Sequence, residues 1–264
     1  MIWNFDPVAF SLLGLDVRWY GLVYIFGFFL TLLWGHRIQA NLLQDKKLTK
    51  DQFENLLFGM FICGVAGGRI GEFLFYSPET FVTNPLEILK MWHGGMSIHG
   101  GILGAVAFGL FYTRKHNVPL LRILDAVVIP LAVTLIFGRL ANFINGELVG
   151  RMTQTDWGMI FPHIDNALRH PSQLYEAGKN VLLSGFLFLL LKRGYGEYKG
   201  ILTTGFLSGY GILRFVIEFF REPSGMVWFF TTGQALCLVM IVFALLLAKS
   251  QNFWHNSIRK PSSQ

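Results

Sequence analysis

Three arginines stand inside apolar stretches of the sequence, and their chemistry is the first clue to function. Arg69, Arg139 and Arg214 each lie in a run of residues long enough to cross a membrane. A charged side chain in hydrocarbon costs at least about 2.5 to 3.5 kcal/mol, so it needs a partner, a water-filled cavity or an anionic ligand. A guanidinium group forms paired hydrogen bonds with phosphate oxygens. The three arginines therefore point to a phosphate-bearing ligand.

Arg214 and Arg139 differ in the acidic residues near them in the sequence. Arg214 and Glu218 are four residues apart on one helix face, where they would neutralise each other. Arg139 has no acidic residue one turn away on its own helix. Asn142 and Asn145 follow it and could cap the helix end or hold the arginine. Arg139 is therefore the strongest candidate for ligand binding.

His99, Arg69 and Tyr20 are candidates for which a structural role stays open. Arg69 could pair with Glu72 or Glu147. His99 could be a neutral core imidazole hydrogen-bonded to a carbonyl, although the glycines that follow it allow close approach of a backbone or a ligand. Tyr20 could be only an anchor at the membrane interface. None of these alternatives is decided by the sequence.

The composition indicates a membrane protein. Hydrophobic residues make up 53% of the chain and charged residues 14%, with a mean hydropathy of +0.47. Soluble domains carry about 25% charged residues. A bilayer crossing needs about 20 apolar residues. We predict an all-α integral membrane protein with seven transmembrane helices, at Trp19–Gln39, Phe53–Phe75, Gly95–Thr113, Ile123–Phe143, Leu174–Leu191, Gly200–Phe220 and Thr231–Lys249.

The distribution of Lys and Arg predicts the orientation. Thirteen of the 22 basic residues fall in one set of connections, and six, including Lys179, fall in the other. The N-terminus is therefore expected outside and the C-terminus in the cytoplasm, with residues 1–264 forming one polytopic domain. The pI of 9.4 then reflects topology and contact with membrane lipids, so no nucleic-acid partner is expected. Met1–Val17 shows no cleavable signal peptide and is expected to lie on the membrane surface.

Residues 144–173 form one long polar connection, between the fourth and fifth predicted spans. Long loops in compact folds are usually functional or disordered. This connection keeps aromatic residues such as Trp157 and Phe161, which can form a small core. We therefore predict a small folded cap over the outer, periplasmic face of the membrane.

The predicted topology also gives each intramembrane polar group a depth. At 1.5 Å per residue, Arg139 lies about 24 Å beyond the inner end of its helix. Asp125 is near the inner end and is the exception. The polar residues expected toward the outer leaflet are Tyr20, Arg69, His99, Arg139, Tyr210, Arg214 and Glu218. Their shared depth predicts one polar cavity open to the outer surface, with three arginines against one carboxylate within the spans.

Four sequence motifs contain most of these polar residues. They are HGGMSIHGG at 93–101, GRLANFINGELVG at 138–150, RHPSQLYE at 169–176 and YGILRFVIEFFR at 210–221. Trp19-Tyr20-Gly21 and GGRIG at 67–71 accompany them. With these motifs the chain, from about residue 5 to 250, resembles the prolipoprotein diacylglyceryl transferase family. A compact loop between Arg151 and Arg169 is a departure that implies a smaller cap than some relatives have.

The resemblance implies transfer of an sn-1,2-diacylglyceryl group from phosphatidylglycerol to the lipobox cysteine thiol of a prolipoprotein. The products would be a thioether and glycerol 1-phosphate, the first step of bacterial lipoprotein maturation. The protein would be a multi-pass protein of the bacterial cytoplasmic (inner) membrane with its active site toward the periplasmic side. Attack at the glycerol carbon would require neither a metal nor another cofactor.

The resemblance also implies roles for individual residues. Arg139 would bind the phosphate, Arg214 would stabilise charge on the leaving group, and His99 would be the general base for the thiol or would only position substrate. The site would be lined by Tyr20, Asn142, Glu147, Gly150 and Tyr210. Residues that would support or gate the substrate site are Arg69, Glu218 and Arg221.

A transporter or channel for an organic anion is the main rival, because intramembrane arginines also line anion pathways. Transporters commonly contain paired repeats with broken helices, and none is evident in this sequence. Polar groups on one side of the midplane also describe a pocket better than a continuous path. A structural scaffold would not explain buried cations whose partners are missing. We therefore predict an enzyme that acts on a lipid headgroup.

Overall fold

The protein is mainly helical in the computed structural model, which describes residues 1–12, 15–42, 48–90, 95–223 and 225–251. The α-helices of these described residues are α1 (Trp19–Leu30), α2 (His36–Leu42), α3 (Lys50–Phe75), α4 (Pro78–Thr83), α5 (Ile98–Lys115), α6 (Leu120–Ile144), α7 (Ser172–Lys192), α8 (Ile201–Ile217) and α9 (Thr232–Ser250). A π-helical stretch, Thr31–Gly35, joins α1 to α2. Short 3₁₀ turns occupy Pro85–Leu89, Tyr195–Glu197 and Glu218–Phe220.

Three short antiparallel ribbons accompany the helices. They pair β1 (Val8–Leu12) with β2 (Leu15–Arg18), β3 (Met159–Ile160) with β4 (Leu168–Arg169), and β5 (Met226–Val227) with β6 (Phe230–Thr231). The all-α prediction omitted them, because strands of two to five residues are too short to show a clear alternation of apolar and polar residues. The first ribbon lies in the N-terminal segment, whose position on the membrane surface stays a prediction.

Six helical segments among the described residues are long and apolar enough to cross a membrane. They are Trp19–Leu42, Lys50–Phe75, Leu120–Ile144, Ser172–Lys192, Ile201–Phe220 and Thr232–Ser250. Each agrees with a predicted span to within about three residues at either end, which is the accuracy expected for helix boundaries. The remaining predicted span corresponds to α5, which is a helix but is not one of the six. Arg114 and Lys115 in its last turn reduce its hydropathy, and the count of seven stays a prediction.

The chain divides into two compact units. The first unit consists of Met1–Gly35 and Leu124–Gln264, and the second of His36–Ile123. We describe each unit by itself.

Helices α3 and α5 pack against each other within the second unit, and their glycines form the contact. A Cβ added to Gly71 would lie 2.9 Å from Gly100 Cα, and a Cβ added to Gly67 would meet the Gly100 carbonyl oxygen. The carbonyl oxygen of Cys63 blocks the corresponding position at Gly104. Small residues spaced four apart let helix backbones approach in this way. These glycines therefore serve the packing of α3 against α5.

In the first unit, Asp125 of α6 holds the start of α8. Its Oδ2 accepts a hydrogen bond from the backbone N–H of Gly200 at 2.5 Å, and its Oδ1 accepts from Thr203 N and Oγ1, both at 2.8 Å. A carboxylate at a helix N-terminus pairs with backbone N–H groups that have no partner within the helix. Asp125, which the sequence sets apart from the other intramembrane polar residues, is therefore a helix cap.

The segment between α6 and α7 is folded around a small apolar cluster. Val149, Met159 and Phe161 are buried, and Trp3 and Phe143 pack against them. The indole Nε1 of Trp3 donates to the Phe143 carbonyl at 2.7 Å. Of the two aromatic residues expected to form this core, Phe161 is buried, whereas Trp157 is 58% exposed and stays outside it. The position of the segment at the outer face stays a prediction.

Candidate anion-binding site

Four cations and two carboxylates come together in the first unit, and we call this group the cation cluster. It contains Arg139 of α6, Glu176 and Lys179 of α7, Arg214 of α8, Glu218 of the turn after α8, and Arg221. The exposed fraction of these side chains ranges from 0% for Glu176 to 18% for Arg139. With every group charged, the cluster carries two positive charges in excess.

Glu176 lies at the centre of the cation cluster and is shared by all four cations. Its Oε2 is 3.3 Å from Lys179 Nζ and 3.6 Å from Arg139 Nε. Its Oε1 is 3.0 Å from Arg214 Nε and 3.6 Å from Arg221 Nη1. Neither oxygen accepts a well-aligned hydrogen bond from the described residues. One carboxylate therefore attracts four cations, but it forms no well-aligned hydrogen bond with any of them.

Glu218 is the second carboxylate, and it engages Arg214 more fully than Arg221. Glu218 Oε2 forms an ion pair with Arg214 Nη1 and lies 3.6 Å from Arg221 Nε. Its Oε1 accepts a hydrogen bond from Thr231 Oγ1 at 2.9 Å. Arg221 Nε and Nη1 are buried and have no hydrogen-bond acceptor among the described residues. Arg214 and Glu218 do pair, as the sequence suggests, yet Arg221 keeps unused donors.

A chain of polar groups connects Arg139 to the segment after α6. Arg139 Nη1 donates to Asn142 Oδ1 at 3.5 Å, and Asn142 Nδ2 donates to Glu147 Oε1 at 2.7 Å. Asn145 Nδ2 donates to the same oxygen at 3.3 Å, and Gln173 Nε2 donates to the Glu147 carbonyl at 2.6 Å. These contacts fix the end of α6 relative to the start of α7. They place Arg139, Asn142 and Glu147 in one connected group.

Gly150 lies where two chain segments converge beside the cation cluster. Its N–H donates to the His170 carbonyl at 2.9 Å, and it pairs as a β-bridge with Arg221. A Cβ at Gly150 would lie 2.6 Å from His170 O and 2.5 Å from Phe220 O. Contacts this close leave no room for a side chain. Gly150 therefore acts through its backbone, which positions Arg221.

Arg169 stabilises the backbone at Gly150. It is 8% exposed and donates to the Gly150 carbonyl at 3.1 Å. It also pairs with Asp165 at 2.6 Å and with Glu222 at 2.9 Å. The Arg169 guanidinium lowers the pKa of Asp165 below its usual value, and the hydrogen bond to Asp165 raises the pKa of Arg169.

The two tyrosines proposed for the site lie in the first unit. Lys179 Nζ lies 3.6 Å from the centre of the Tyr210 ring, in a cation–π contact. Tyr20 is half-buried near the start of α1, and its hydroxyl accepts a hydrogen bond from Tyr24 at 3.1 Å. Tyr210 is thus attached to the cation cluster through Lys179.

Arg69 belongs to the second unit and has a different environment. It is 4% exposed and lies over the Phe73 ring at 4.9 Å. Its guanidinium nitrogens donate to the backbone carbonyls of Ile88 at 3.0 Å, Gly95 at 3.0 Å, Glu87 at 2.8 Å and Lys90 at 2.8 Å. Neutral carbonyl dipoles therefore hold this charge.

His99 also belongs to the second unit, where it is the second residue of α5. Its side chain is exposed, so it is not the core imidazole considered as an alternative. Ser97, two residues before His99, caps the helix by accepting a hydrogen bond from Gly100 N at 3.3 Å. Gly100, which might have admitted a ligand, is instead packed against α3. Residues 91–94, the start of the motif that contains His99, lie outside the described residues.

Glu176 and Lys179 are the members of the cation cluster that the sequence analysis missed. Lys179 was assigned to an outer connection, and only one carboxylate was counted within the spans. Both assumptions are wrong, because α7 buries Glu176 at 0% exposure and Lys179 at 3%. Both residues lie inside the predicted span Leu174–Leu191, so the rule applied to the three arginines would have found them.

The described residues contain no group of three or more His, Cys, Asp or Glu side chains that could hold a metal ion. What the cation cluster offers is two excess positive charges, buried arginine donors without acceptors, and a rigid backbone at Gly150. Such an arrangement can bind an anion that presents several oxygens.

Comparisons with known proteins agree with this chemistry. A family model described as Prolipoprotein diacylglyceryl transferase matches residues 7–249. Proteins named phosphatidylglycerol–prolipoprotein diacylglyceryl transferase are 42% identical over 260 residues in Idiomarina loihiensis and 40% identical over 253 residues in Legionella pneumophila (strain Lens). The alignments cover 93% of this chain and 94% of the first relative, and 92% of this chain and 96% of the second. A Wolbachia pipientis relative of that name is 39% identical over 254 residues, covering 92% of this chain and 94% of its own length. With matches at this level along almost its whole length, the chain belongs to the prolipoprotein diacylglyceryl transferase family.

Proposed function

We propose that this protein transfers the sn-1,2-diacylglyceryl group of phosphatidylglycerol to the cysteine thiol of a prolipoprotein lipobox. The thiol sulfur attacks the glycerol carbon that carries the phosphate, and the carbon–oxygen bond to that phosphate breaks. The electron pair leaves with glycerol 1-phosphate, and the protein product is a thioether. The observation that carries the proposal is the excess of two positive charges in the cation cluster.

The charge of the cation cluster suits the change in charge during this reaction. The phosphodiester of phosphatidylglycerol carries one negative charge, whereas the departing phosphomonoester carries about 1.5 to 2 at neutral pH. Negative charge therefore grows on the phosphate as the bond breaks. Cations already held in place stabilise such a transition state more than the ground state. A cluster with two excess charges is matched to the departing group.

Within this reaction, Arg139 binds the phosphate and Arg214 stabilises the charge of the leaving group. Arg139 is the more exposed of the two, and its contacts are long: 3.6 Å to Glu176 and 3.5 Å to Asn142. Its guanidinium therefore keeps donors for the phosphate. Arg214 is held by both carboxylates and is therefore fixed in orientation. The other lining residues are Tyr20, Asn142, Glu147, Gly150 and Tyr210, with Glu218 and Arg221 supporting them.

His99 accepts the thiol proton in this proposal, or positions the substrate. Its exposed imidazole at the start of α5 can meet a substrate, and imidazole is the side chain that most often serves as a general base. The proton then passes to solvent. Arg69 does not bind substrate in this proposal, because its guanidinium group donates to four backbone carbonyls.

The proposal includes a membrane arrangement. The six apolar helical segments support a multi-pass protein, and we infer that α5 crosses as the seventh, because it packs along α3 through glycines. The positive-inside rule then places the C-terminus in the cytoplasm of the bacterial inner membrane. The active site faces the periplasm, and the folded segment between α6 and α7 covers it.

The test is a transfer assay with the purified protein and a lipobox peptide in phosphatidylglycerol micelles. We expect thioether product and glycerol 1-phosphate in equal amounts, and little product when phosphatidylethanolamine replaces phosphatidylglycerol. Arg139→Ala should reduce transfer by about 10² to 10³-fold, the usual cost of removing a group that stabilises developing charge. Arg193→Ala is the matched control, because Arg193 is exposed at the end of α7.

Two results would reject the proposal. Turnover of Arg139→Ala at the wild-type rate would show that the cation cluster does not bind the phosphate. Release of free fatty acid in place of glycerol 1-phosphate would show a different reaction. Size-exclusion elution and helical circular dichroism of the variant must match those of the wild-type protein.

A further inference from the structure

Lys179 is a lysine buried in the middle of an apolar helix, and no role has yet been given to it. Its side chain is 2% exposed, less than any arginine of the cation cluster. Burial of an ammonium group in a membrane segment is costly, so the residue needs strong partners. Lys179 Nζ has three, because it donates to Asn180 Oδ1 at 2.7 Å, lies over the Tyr210 ring and is 3.3 Å from Glu176.

Lys179 and Arg139 share one oxygen atom. Glu176 Oε2 is 3.3 Å from Lys179 Nζ and 3.6 Å from Arg139 Nε, whereas Oε1 serves the two arginines of the other side. The lysine is the closer of the two cations to Oε2. Its position is fixed by Asn180 and by the Tyr210 ring. The ion pair between Arg139 and this oxygen is therefore weakened by the competing lysine.

We propose that Lys179 is a positioning residue that keeps Arg139 available to the phosphate, by occupying the Glu176 oxygen with which Arg139 would otherwise pair. The inference rests on the proposed function and extends it to a residue outside the lining set. Lys179 acts through Glu176, because its enclosed ammonium group has too little exposure to meet a lipid phosphate. Without the lysine, Arg139 would form a full ion pair with Glu176 and lose donors that the phosphate requires.

Lys179→Met tests this inference, because it removes the charge and keeps the length of the side chain. We expect the KM for phosphatidylglycerol to rise about tenfold and kcat to change by less than about twofold, within the range of coupling between contacting residues. The inhibition constant of sn-glycerol 1-phosphate should weaken by a similar factor. Lys192→Met is the matched control, since Lys192 is an exposed lysine on the same helix.

A double variant separates action through Glu176 from a direct effect of the lysine charge. In Glu176→Gln/Lys179→Met no carboxylate remains to capture Arg139, so the KM should return to within about threefold of the wild-type value. Glu218→Gln/Lys179→Met restores the same net charge but leaves Glu176 to capture Arg139, so we expect it to stay as weak as Lys179→Met. A lysine that attracted the phosphate only through its charge would instead allow this second double variant to recover as well. That outcome, or an unchanged KM in Lys179→Met, would overturn the inference.

A further variant keeps the test decisive if Lys179→Met does not fold. Asn180→Ala removes the hydrogen bond that holds the ammonium group, and it should raise the KM by about threefold without changing kcat. An unchanged KM in that variant would also count against the inference. Failure of the proposed function is a separate result, because the wild-type protein would then neither transfer the lipid group nor bind glycerol 1-phosphate.

Discussion

Arg69 and Arg139 are both buried arginines in apolar helices, yet their partners are of different kinds. Arg69 donates to four backbone carbonyls, three of them within residues 87–90 and the fourth at Gly95. Arg139 meets a carboxylate, Glu176, that three other cations also approach. The first arginine donates to four neutral acceptors. The second belongs to a group in which positive charge exceeds negative charge.

The comparison shows that burial of an arginine does not by itself indicate a binding site. Carbonyl dipoles satisfy the five donors of a guanidinium without cancelling its charge, and this arrangement organises a loop. A shared carboxylate cancels part of the charge and leaves donors unused, and this arrangement attracts an anion. The nature of the acceptors, more than the depth of the arginine, distinguishes a structural role from a functional one.

The largest effect is expected from substitution of Arg69, which tests whether this arginine is structural and Arg139 functional. Arg69→Met leaves several buried carbonyls without a donor and should lower the free energy of unfolding by about 2 to 4 kcal/mol. Activity per folded molecule should stay near the wild-type value, because Arg69 does not touch the substrate in the proposed arrangement. Thermal unfolding in detergent and active-site-normalised turnover measure the two quantities. A variant that is stable but has lost turnover would show that Arg69, like Arg139, has a functional role.

Gly150 tests whether the backbone beside the cation cluster must remain unobstructed. A methyl group at Gly150→Ala would overlap the His170 and Phe220 carbonyls, so we expect about 1 to 3 kcal/mol of destabilisation together with reduced transfer. Gly178→Ala is the matched control, because nothing lies within 4 Å of a Cβ at that position of α7. If Gly150→Ala and Gly178→Ala unfold at the same free energy and transfer at the same rate, the close backbone contacts at Gly150 do not matter for either property.

The smallest effect is expected at Asp165, which pairs with Arg169 beneath Gly150. The pKa of Asp165 is lowered in the folded protein, so the pair contributes stability above the unfolded pKa of about 3.9 and loses it as the pH falls through the folded value. Asp165→Asn should therefore lower the melting temperature at pH 7, and the difference from the wild-type protein should shrink progressively as the pH falls below about 3.9. Melting curves of both proteins across this range measure the difference, and a constant offset at every pH would contradict it.

Six of the predicted spans match long apolar helices, because uninterrupted apolar runs of about 20 residues are a strong signal. The arginines and Glu218 were found for the same reason, as charges that interrupt those runs. Glu176 and Lys179 are also charges within a predicted span. The count of basic residues nevertheless places Lys179 in an outer connection, and Glu176 is not counted among the intramembrane carboxylates. The acceptors of Arg69 could not be foreseen, because they are backbone atoms whose positions depend on the fold of a loop.

The glycine contact between α3 and α5 has a mechanical consequence. With backbone against backbone at Gly67 and Gly100, no layer of flexible side chains separates the two helices at this point. Rotation of one helix about its own axis would drive a carbonyl oxygen into a neighbouring Cα, so the pair can tilt or shift only as a single rigid body. His99 precedes Gly100 directly in α5. In the proposed reaction, a movement that brings its imidazole toward the thiol must therefore carry α3 with it.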